Sequence, residues 1–244
     1  MRDWSSKALA NQIGIILLAR MSSRRLPGKA LRQIEDKVVL GHILDRVRLG
    51  AGTLPIVVAT STDADDDPIE EYCRRTGVEC FRGSLDNVAE RFVGCAEHHG
   101  WDFAVRINGD NIFSDPETLK SMIAVAETGE FDLVSNILKR TFPYGVTVEI
   151  VRVSFHRKHL NSWTDSRHTE HVTLWFSEHP GVGRRFSFEN ASGSDYGELH
   201  LALDTAEDLE RTRKIFQRMD LPPYSYSLDD IIRFAIEELR ECKL

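Results

Sequence analysis

Short, unbroken apolar runs alternate along this chain with segments whose apolar residues recur every three or four positions. The strongest run, Ile13 to Leu18, is rich in isoleucine and too short for a long buried helix, which is typical of a strand covered on both faces. Further strands are predicted at 55–59, 78–81, 103–107, 132–136, 146–153, 186–188 and 199–203. Helical spacing predicts helices at 38–49, 68–76, 87–99, 115–129, 154–160, 170–177, 206–219 and 228–242.

This alternation of strands and helices predicts an α/β fold with a mostly parallel central sheet and helices on both faces. Residues 1–12 are polar and mixed, which indicates an N-terminal extension, and residues 13–244 form a single domain that the helix at 228–242 completes. A hairpin-like stretch at 140–153 interrupts the alternation. We expect it to be an arm that lies over the site or pairs with a second subunit, in a homodimer.

A basic loop follows the first predicted strand. No acidic residue occurs between Ile13 and Ile34, although the chain carries a formal net charge of -7. The loop combines cationic and hydroxyl side chains with a Pro-Gly turn, and its members are Arg20, Ser22, Ser23, Arg24, Arg25, Pro27, Gly28 and Lys29. Such a loop at the carboxyl edge of a sheet is suited to holding phosphate. A solvated basic turn is the simpler alternative, but the position directly after the strongest strand favours a ligand.

Two well-known phosphate motifs are excluded. The P-loop pattern fails at its first glycine, where Ser23 stands, and at its hydroxyl, because Ala30 follows Lys29. A G-x-G-x-x-G sequence after a strand is missing from the chain, so a dinucleotide-binding Rossmann unit is not supported.

Composition places the chain among soluble globular proteins. Of its 244 residues, 41% are hydrophobic and 28% are charged, which suits one α/β domain. The acidic balance argues against a role in coating nucleic acid. No apolar run approaches the ~20 residues that span a bilayer, and no signal-peptide core is present. The four cysteines form no C-x-x-C pair, so we expect reduced, buried thiols in a cytoplasmic protein.

Two carboxylates follow predicted strands and are candidates for Mg²⁺ binding. Asp110 comes after the strand at 103–107, and Asp204 comes after the strand at 199–203. If both strands run parallel to the first, these hard oxygen ligands face the basic loop, where they would share Mg²⁺ with phosphate oxygens. Each has an ordinary alternative: Asp204 is suited to cap the helix that starts near Ala206, and Asp110 to occupy a simple turn.

Other candidate sites are weaker. The acidic string Asp63 to Asp67 resembles the D-x-D metal motif of glycosyltransferases, although Asp67 is suited to cap a helix and the remainder to form a solvated loop. His168 and His171 lie three residues apart, but no third ligand of the zinc type is near them, so a substrate contact or a surface position is the preferred interpretation. No Ser/His/Asp order or nucleophile elbow occurs.

Several of these segments together resemble a known family. The stretch Ala19 to Lys29, ARMSSRRLPGK, is similar to the A-R-x-x-S-x-R-L-P-G-K loop of bacterial cytidylyltransferases that make CMP-activated sugar acids, together with their spore-coat polysaccharide synthesis branch. The resemblance extends over about Ile13 to Met219 and includes the segments VATST (58–62), FRGS (81–84), RINGD (106–110), EHVT (170–173) and LDTAEDL (203–209).

This resemblance implies a nucleotide-diphospho-sugar transferase fold and assigns expected roles to residues. The CTP phosphates would be held by Arg20, Ser23, Arg25 and Lys29, and the nucleotide site would also include Ala19, Arg82 and Gly109. Asp110 and Asp204 would bind Mg²⁺, while Arg25, Lys29 and Asp110 would be the catalytic residues. The acceptor pocket would contain Tyr144, Gly145, Glu149 and His171.

The resulting hypothesis is nucleotidyl transfer, in which CMP moves from CTP to the hydroxyl of a sugar acid and pyrophosphate leaves. The expected partners are CTP and a small sugar acid, without nucleic acid or membrane. One alternative is a glycosyltransferase of the same fold that depends on Asp63 or Asp65. Another is a non-catalytic nucleotide-binding subunit.

Overall fold

The computed structural model describes residues 11–190 and 195–241. Most of the predicted extension at 1–12 lies outside the described residues. Cys242, at the end of the last predicted helix, also lies outside them. Within the described ranges there are nine strands: β1 Ile13–Leu18, β2 Gln33–Ile34, β3 Lys37–Val38, β4 Ile56–Ser61, β5 Glu79–Gly83, β6 Phe103–Asn108, β7 Leu133–Ser135, β8 Glu149–Arg152 and β9 Arg185–Ser187. The same ranges contain nine α-helices: α1 Val39–Ala51, α2 Asp67–Thr76, α3 Val88–His98, α4 Pro116–Glu127, α5 Val153–Leu160, α6 Ser166–Glu170, α7 Leu174–Glu178, α8 Ala206–Gln217 and α9 Leu228–Glu241.

Seven strands form one sheet in the order β5-β4-β1-β6-β8-β7-β9. The β5-β4-β1-β6 half is parallel throughout, because helices return the chain to the same edge before each new strand. β8 is antiparallel to both of its neighbours, β6 and β7, and β9 is parallel to β7. The prediction of a mostly parallel sheet is therefore confirmed.

Part of the segment at 140–153, which was expected to be an arm, belongs to the sheet. Its last four residues, Glu149–Arg152, are β8, which lies inside the sheet with three of its residues fully buried. The β-branched residues at 146–153 did indicate a strand. That strand is buried on both faces because it lies between two other strands of the sheet and is not part of an exposed hairpin.

Two apolar cores cover the two faces of the sheet. Alternate residues of β1 serve different faces: Ile15 and Leu17 pack in the larger core, against helices such as α1, and Ile16 and Leu18 pack in the smaller core, against α3. On β6 the odd-numbered residues Phe103, Val105 and Ile107 belong to the larger core. Arg106 and Asn108 therefore face the α3 side.

Two predicted elements are wrong in detail. Residues 199–203 form no strand. Residues 201–203 are buried, but His200 is exposed, and the segment pairs with Tyr144 through a single isolated bridge and lies against the loop at 144–146. The helix predicted at 170–177 is interrupted between α6 and α7. Thr173 donates its hydroxyl to Glu149 (2.6 Å), and the Val172 carbonyl accepts from the ring of His156 (2.7 Å), so this connector is fixed by tertiary contacts instead of helical ones.

None of the helices within the described ranges is both long enough and apolar enough to cross a bilayer.

Candidate active site

A cavity of about 830 Å³ opens at the carboxyl ends of β1 and β6. Its floor includes Leu18 and Asn108, which lie opposite each other in the β1–β6 pairing. The basic loop forms one wall, and the start of α3 together with α6 forms another. The lining also brings together most of the predicted site residues: Ala19, Arg20, Ser23, Arg25, Lys29, Gly109, Asp110, His171 and Asp204.

The floor of the cavity needs a glycine at position 109. The Gly109 N–H donates to the Leu18 carbonyl (2.8 Å), which closes the edge between β1 and β6. A Cβ at this position would lie 2.8 Å from that same carbonyl oxygen. The close approach of the two backbones therefore excludes a side chain here.

The basic loop is fixed from behind by Asp66. Its carboxylate accepts from the Met21 N–H (2.6 Å) and from the Ser61 N–H (3.1 Å), so it joins the loop to the end of β4. Asp66 is only 1% exposed. Burial alone would raise the pKa of this carboxyl group, but the hydrogen bonds from Met21 and Ser61 together outweigh burial and lower the pKa below its ordinary value. The loop is thus held by a buried, charged acceptor.

Lys29 lies at the centre of the cavity's outer end. Its ammonium group donates to Asp110 Oδ2 (3.2 Å), to Asp204 Oδ1 (3.3 Å) and to the Leu203 carbonyl (3.2 Å). These three acceptors match the three donors of an ammonium group. The two carboxylates predicted to bind Mg²⁺ therefore lie together, with one cation between them.

Asp204 is available to the cavity because another residue caps α8. The hydroxyl of Thr205 accepts from the Asp208 N–H (3.2 Å), and Asp208 accepts in return from the Thr205 N–H (2.9 Å). This is a capping box, and it excludes the alternative that Asp204 serves as the cap. Arg25, on the loop, contacts Asp204 Oδ1 at 3.1 Å.

The outer end fits a hard divalent cation. Asp110 and Asp204 offer carboxylate oxygens that are partly exposed to the cavity, at 25% and 19% of the side chain. Groups of three or more His, Cys, Asp or Glu side chains suited to a metal do not occur in the part of the chain that the structure describes. Two carboxylates without a third fit Mg²⁺, which usually keeps waters and shares its remaining positions with substrate phosphate.

The inner end of the cavity carries three further arginines. Arg20 makes a two-point ion pair with Glu170 of α6, at 2.5 and 3.1 Å. Arg91 of α3 is 2% exposed and makes one hydrogen bond, to the Ser84 carbonyl, while its Nε is buried without a partner. Burial, followed by the nearby charge of Arg20, lowers the pKa of Arg91 to about 10.

Arg106 is the third arginine of the inner end. It stands directly opposite Glu149 in the β6–β8 pairing and forms an ion pair with it. Glu149 is fully buried, and its oxygens also accept from the hydroxyls of Thr173 (2.6 Å) and Ser135 (3.3 Å). Arg106 lines the cavity, and its Nε is buried without a partner. Glu149 thus fixes Arg106 from beneath.

Four predicted site residues are not brought to the cavity lining. Arg82 instead pairs with Asp67 and Glu70 and donates to the Ser61 and Asp63 carbonyls. Its expected contact with the nucleoside is therefore not supported by this geometry.

The other three were expected in the acceptor pocket. Tyr144 stacks on His200 and lies under Arg140, while Gly145 (φ 92°) approaches the backbone of Ala202 too closely for a Cβ. Glu149 lies beneath Arg106 with its carboxylate already bonded. Only His171 of the expected acceptor residues lines the cavity.

The alternative metal motifs also lie elsewhere. Asp63 accepts from the Asp65 N–H (2.9 Å), and both residues are exposed outside the cavity lining. The D-x-D interpretation is therefore not supported. His168 pairs with Glu178 (2.7 Å) and packs on Trp163, away from His171.

Sequence reasoning missed Asp66, Arg91, Arg106 and Glu170. Each carried a weak signal. Arg106 is a charge inside an otherwise apolar strand, FAVRIN, and Arg91 stands among the apolar residues of α3. A charge at a core position is unusual unless it is paired or serves a site. The signals at Asp66 and Glu170 were weaker. Asp66 is one of several neighbouring carboxylates, and Glu170 occupies an ordinary helical position.

Comparison with known proteins identifies the family to which the chain belongs. The model of the cytidylyltransferase family matches residues 14–238. The spore coat polysaccharide biosynthesis protein SpsF of Bacillus subtilis is 32% identical over 216 residues, which are 85% of this chain and 88% of that protein. A 3-deoxy-manno-octulosonate cytidylyltransferase of Acinetobacter baumannii is 36% identical over 101 residues, 39% of this chain and 38% of that protein.

Solved structures show the same architecture. A cytidylyltransferase from Leptospira borgpetersenii has a TM-score of 0.87 at 28% identity and covers 94% of this chain and 96% of its own. A CMP:2-keto-3-deoxy-manno-octonic acid synthetase, solved with CTP, has a TM-score of 0.63 at 16% identity, with 85% and 99% covered, and shows the fold alone. The predicted nucleotide-diphospho-sugar transferase fold is confirmed, and the chain belongs to the cytidylyltransferase family of enzymes.

Proposed function

We propose that this enzyme transfers CMP from CTP to a hydroxyl group of a sugar acid, for the synthesis of a surface polysaccharide or glycoconjugate. The observation that carries the proposal is the position of Lys29, which contacts Asp110 and Asp204 together at the open end of a cavity walled by the basic loop. Such a combination of cations and carboxylates suits a triphosphate and its divalent ion. The relatives named above support the choice of CTP and of a sugar acid.

The reaction is an in-line displacement at the α-phosphorus of CTP. The acceptor oxygen forms a bond to phosphorus, the bond from phosphorus to the β-bridging oxygen breaks, pyrophosphate leaves, and the hydroxyl proton passes to solvent. The protein contributes positioning and charge neutralisation. Arg20, Ser23, Arg25 and Lys29, with the backbone at Ala19 and Gly109, are proposed to hold the nucleotide, and Arg25 and Lys29 to neutralise the leaving pyrophosphate.

Asp110 and Asp204 are proposed to hold Mg²⁺, which would supply positive charge to the phosphate oxygens and polarise phosphorus. Lys29 keeps these two carboxylates close together, because its ammonium group neutralises both. His171 is proposed to contact the acceptor, since it lines the cavity beside Glu170. Tyr144, Gly145 and Glu149 would then shape the acceptor side from outside the lining.

We further propose that the enzyme acts as a homodimer in the cytoplasm, where CTP is made and used. Light scattering after size exclusion tests the dimer: a mass near 27.8 kDa, that of one chain, contradicts it.

The proposed function is tested by pyrophosphate release from CTP and Mg²⁺ with a panel of sugar acids. Lys29→Met should lower the rate about 100- to 1000-fold, because a preorganised cation at the transferred phosphates is lost. Lys120→Met, an exposed lysine on α4, is the matched control and should leave the rate unchanged. Protein that binds CTP but releases no pyrophosphate with any acceptor would contradict the proposal.

A further inference from the structure

We propose that the inner end of the cavity is a carboxylate-binding subsite for the acceptor, with Arg106 as its main ligand, Arg91 as a second cation and Glu149 as the residue that positions Arg106. This inference rests on the proposed function for the identity of the anion, a sugar acid. It assigns Glu149 a role different from a direct substrate contact, since both of its oxygens are already bonded.

Arg106 is built to present one edge of a guanidinium group. Its Nη1 contacts Glu149 and the Thr173 hydroxyl (3.4 Å), neither of which lines the cavity. Glu149 is in turn fixed by Ser135 and Thr173, so the arginine has little freedom to move. Because a guanidinium group has five donors in a rigid plane, the nitrogens not used by Glu149 remain for a planar anion such as a carboxylate.

Arg91 supplies a second, independent observation. It is 2% exposed, lines the same cavity and, within residues 11–190 and 195–241, forms no ion pair with a carboxylate. Arg20 is a nearby cation, and Asp66 and Glu170 are nearby carboxylates that act on Arg91 electrostatically without pairing with it. A buried guanidinium group bonded only to a neutral carbonyl is unfavourable, and an anion that enters the cavity removes this cost. Helix α3 therefore holds a charge that no carboxylate of the described residues pairs with directly.

The acceptor's carboxylate suits this place better than the triphosphate does. The triphosphate already has the loop cations Arg25 and Lys29 at the outer end. Arg106 lies two residues before Asn108 on β6, which places it about 6–7 Å inward from the strand end. Glu170, His171 and Ser166 line the cavity as well, and their acceptors and donors suit the hydroxyl groups of a sugar. A site that binds a carboxylate next to groups that bind hydroxyls suits a sugar acid.

The test compares binding and turnover of sugar acids with those of their methyl esters, which lack the charge. The probes are 3-deoxy-manno-octulosonate and a nine-carbon sugar acid, added to protein saturated with CTP. The variants are Arg106→Lys, which retains a cation opposite Glu149, Arg91→Gln, and Glu149→Gln. Arg152→Gln is the matched control, because Arg152 is also a sheet arginine in an ion pair, with Asp132, but lies outside the cavity lining.

We expect each of the three variants to raise the KM for the acid about 10- to 100-fold while the KM for CTP stays near wild type, because a charge-assisted contact to the acceptor is lost. The thermal midpoint should fall for Glu149→Gln, since Arg106 then lacks its buried counter-charge. Binding of the methyl ester should change little. Arg152→Gln should change neither KM. For Glu149→Gln, the effect should be smaller than for Arg106→Lys, since the amide still accepts a hydrogen bond from the arginine.

Two results overturn the subsite. One is an increase in the KM for CTP in place of that for the acid. The other is calorimetry in which wild-type protein with CTP binds no acid of the panel more tightly than its ester. The proposed function fails separately: it is contradicted by absent pyrophosphate release, whereas an acid that binds through Arg106 without turnover leaves the subsite standing.

Discussion

At the scale of single residues, the site depends on charges that are buried or shared. Lys29 is shared by two carboxylates, Asp66 is buried beneath the loop, and Arg91 is buried without a directly paired carboxylate among the described residues. Lys29, Asp110 and Asp204 could be predicted from the sequence because each stands at the end of an element, inside a recognisable motif. Asp66, Arg91 and Arg106 carried only weak signals in the sequence, because their roles arise from neighbours that are distant in sequence.

Replacing Asp66 by Asn should destabilise the fold and loosen the basic loop. The amide has only one acceptor oxygen for the N–H groups of Met21 and Ser61, so we expect a loss of about 1–3 kcal/mol in the free energy of unfolding at pH 7. Urea denaturation measures this loss, and the KM for CTP should rise as well.

The difference in stability between wild type and Asp66→Asn should depend on pH in a defined way. The folded-state pKa of Asp66 lies below the ordinary value of 3.8, so its charge stabilises the folded protein above that value, and this contribution is lost as the pH falls through the folded pKa. The difference between wild type and Asp66→Asn should therefore shrink below about pH 3.8. A difference that is constant from pH 7 to pH 3 would contradict this account.

At the scale of elements, the pattern of apolar residues predicted which segments are buried more reliably than it predicted which backbone segments pair by hydrogen bonds. The run Ile13 to Leu18 is a central strand, as expected. Residues 199–203 are also mostly apolar, and residues 201–203 are buried, yet the segment lies against a loop, because burial does not determine which backbone a segment pairs with. The helix expected at 170–177 divides at Val172 and Thr173, whose tertiary partners His156 and Glu149 do not appear in any local pattern.

The capping box of α8 allows a prediction at this scale. Thr205→Ala removes an N-cap directly after Asp204, so we expect a loss of about 1 kcal/mol in stability together with a several-fold loss of activity, as the Asp204 backbone loosens. Chemical denaturation and pyrophosphate release measure the two effects.

Ser227 provides the control. Its hydroxyl accepts from the Asp230 N–H (3.2 Å) at the start of α9, and neither residue lines the cavity. Ser227→Ala should lower stability by a similar amount and leave the rate per folded molecule unchanged. If the two variants lose activity equally, Asp204 does not depend on its cap.

At the scale of the whole molecule, the family resemblance and the α/β class were predictable, and the sheet order was not. The cytidylyltransferase prediction is confirmed by a family match from residue 14 to residue 238. The antiparallel insertion of β8 between β6 and β7 has no local signal, since a strand that enters from either edge has the same apolar pattern.

Ligands should stabilise the whole fold by mass action. CTP with Mg²⁺ at about 100 times its Kd should add about 2.7 kcal/mol to the free energy of unfolding, provided that only the folded protein binds it. Thermal unfolding should show this shift, and EDTA should reduce it, because the ion and the triphosphate share Asp110 and Asp204 in the proposed site. A shift that EDTA leaves unchanged would argue against a divalent ion at these residues.

The interruption between α6 and α7 also has an evolutionary consequence. The proposed nucleotide side combines the basic loop with the backbone at Ala19 and Gly109, whereas Glu170 and His171 belong to a short helix and its connector outside the sheet. Substitutions in that small segment can therefore change which sugar binds while the proposed binding of the triphosphate is retained. Descendants of one scaffold would diversify cell-surface chemistry by this route.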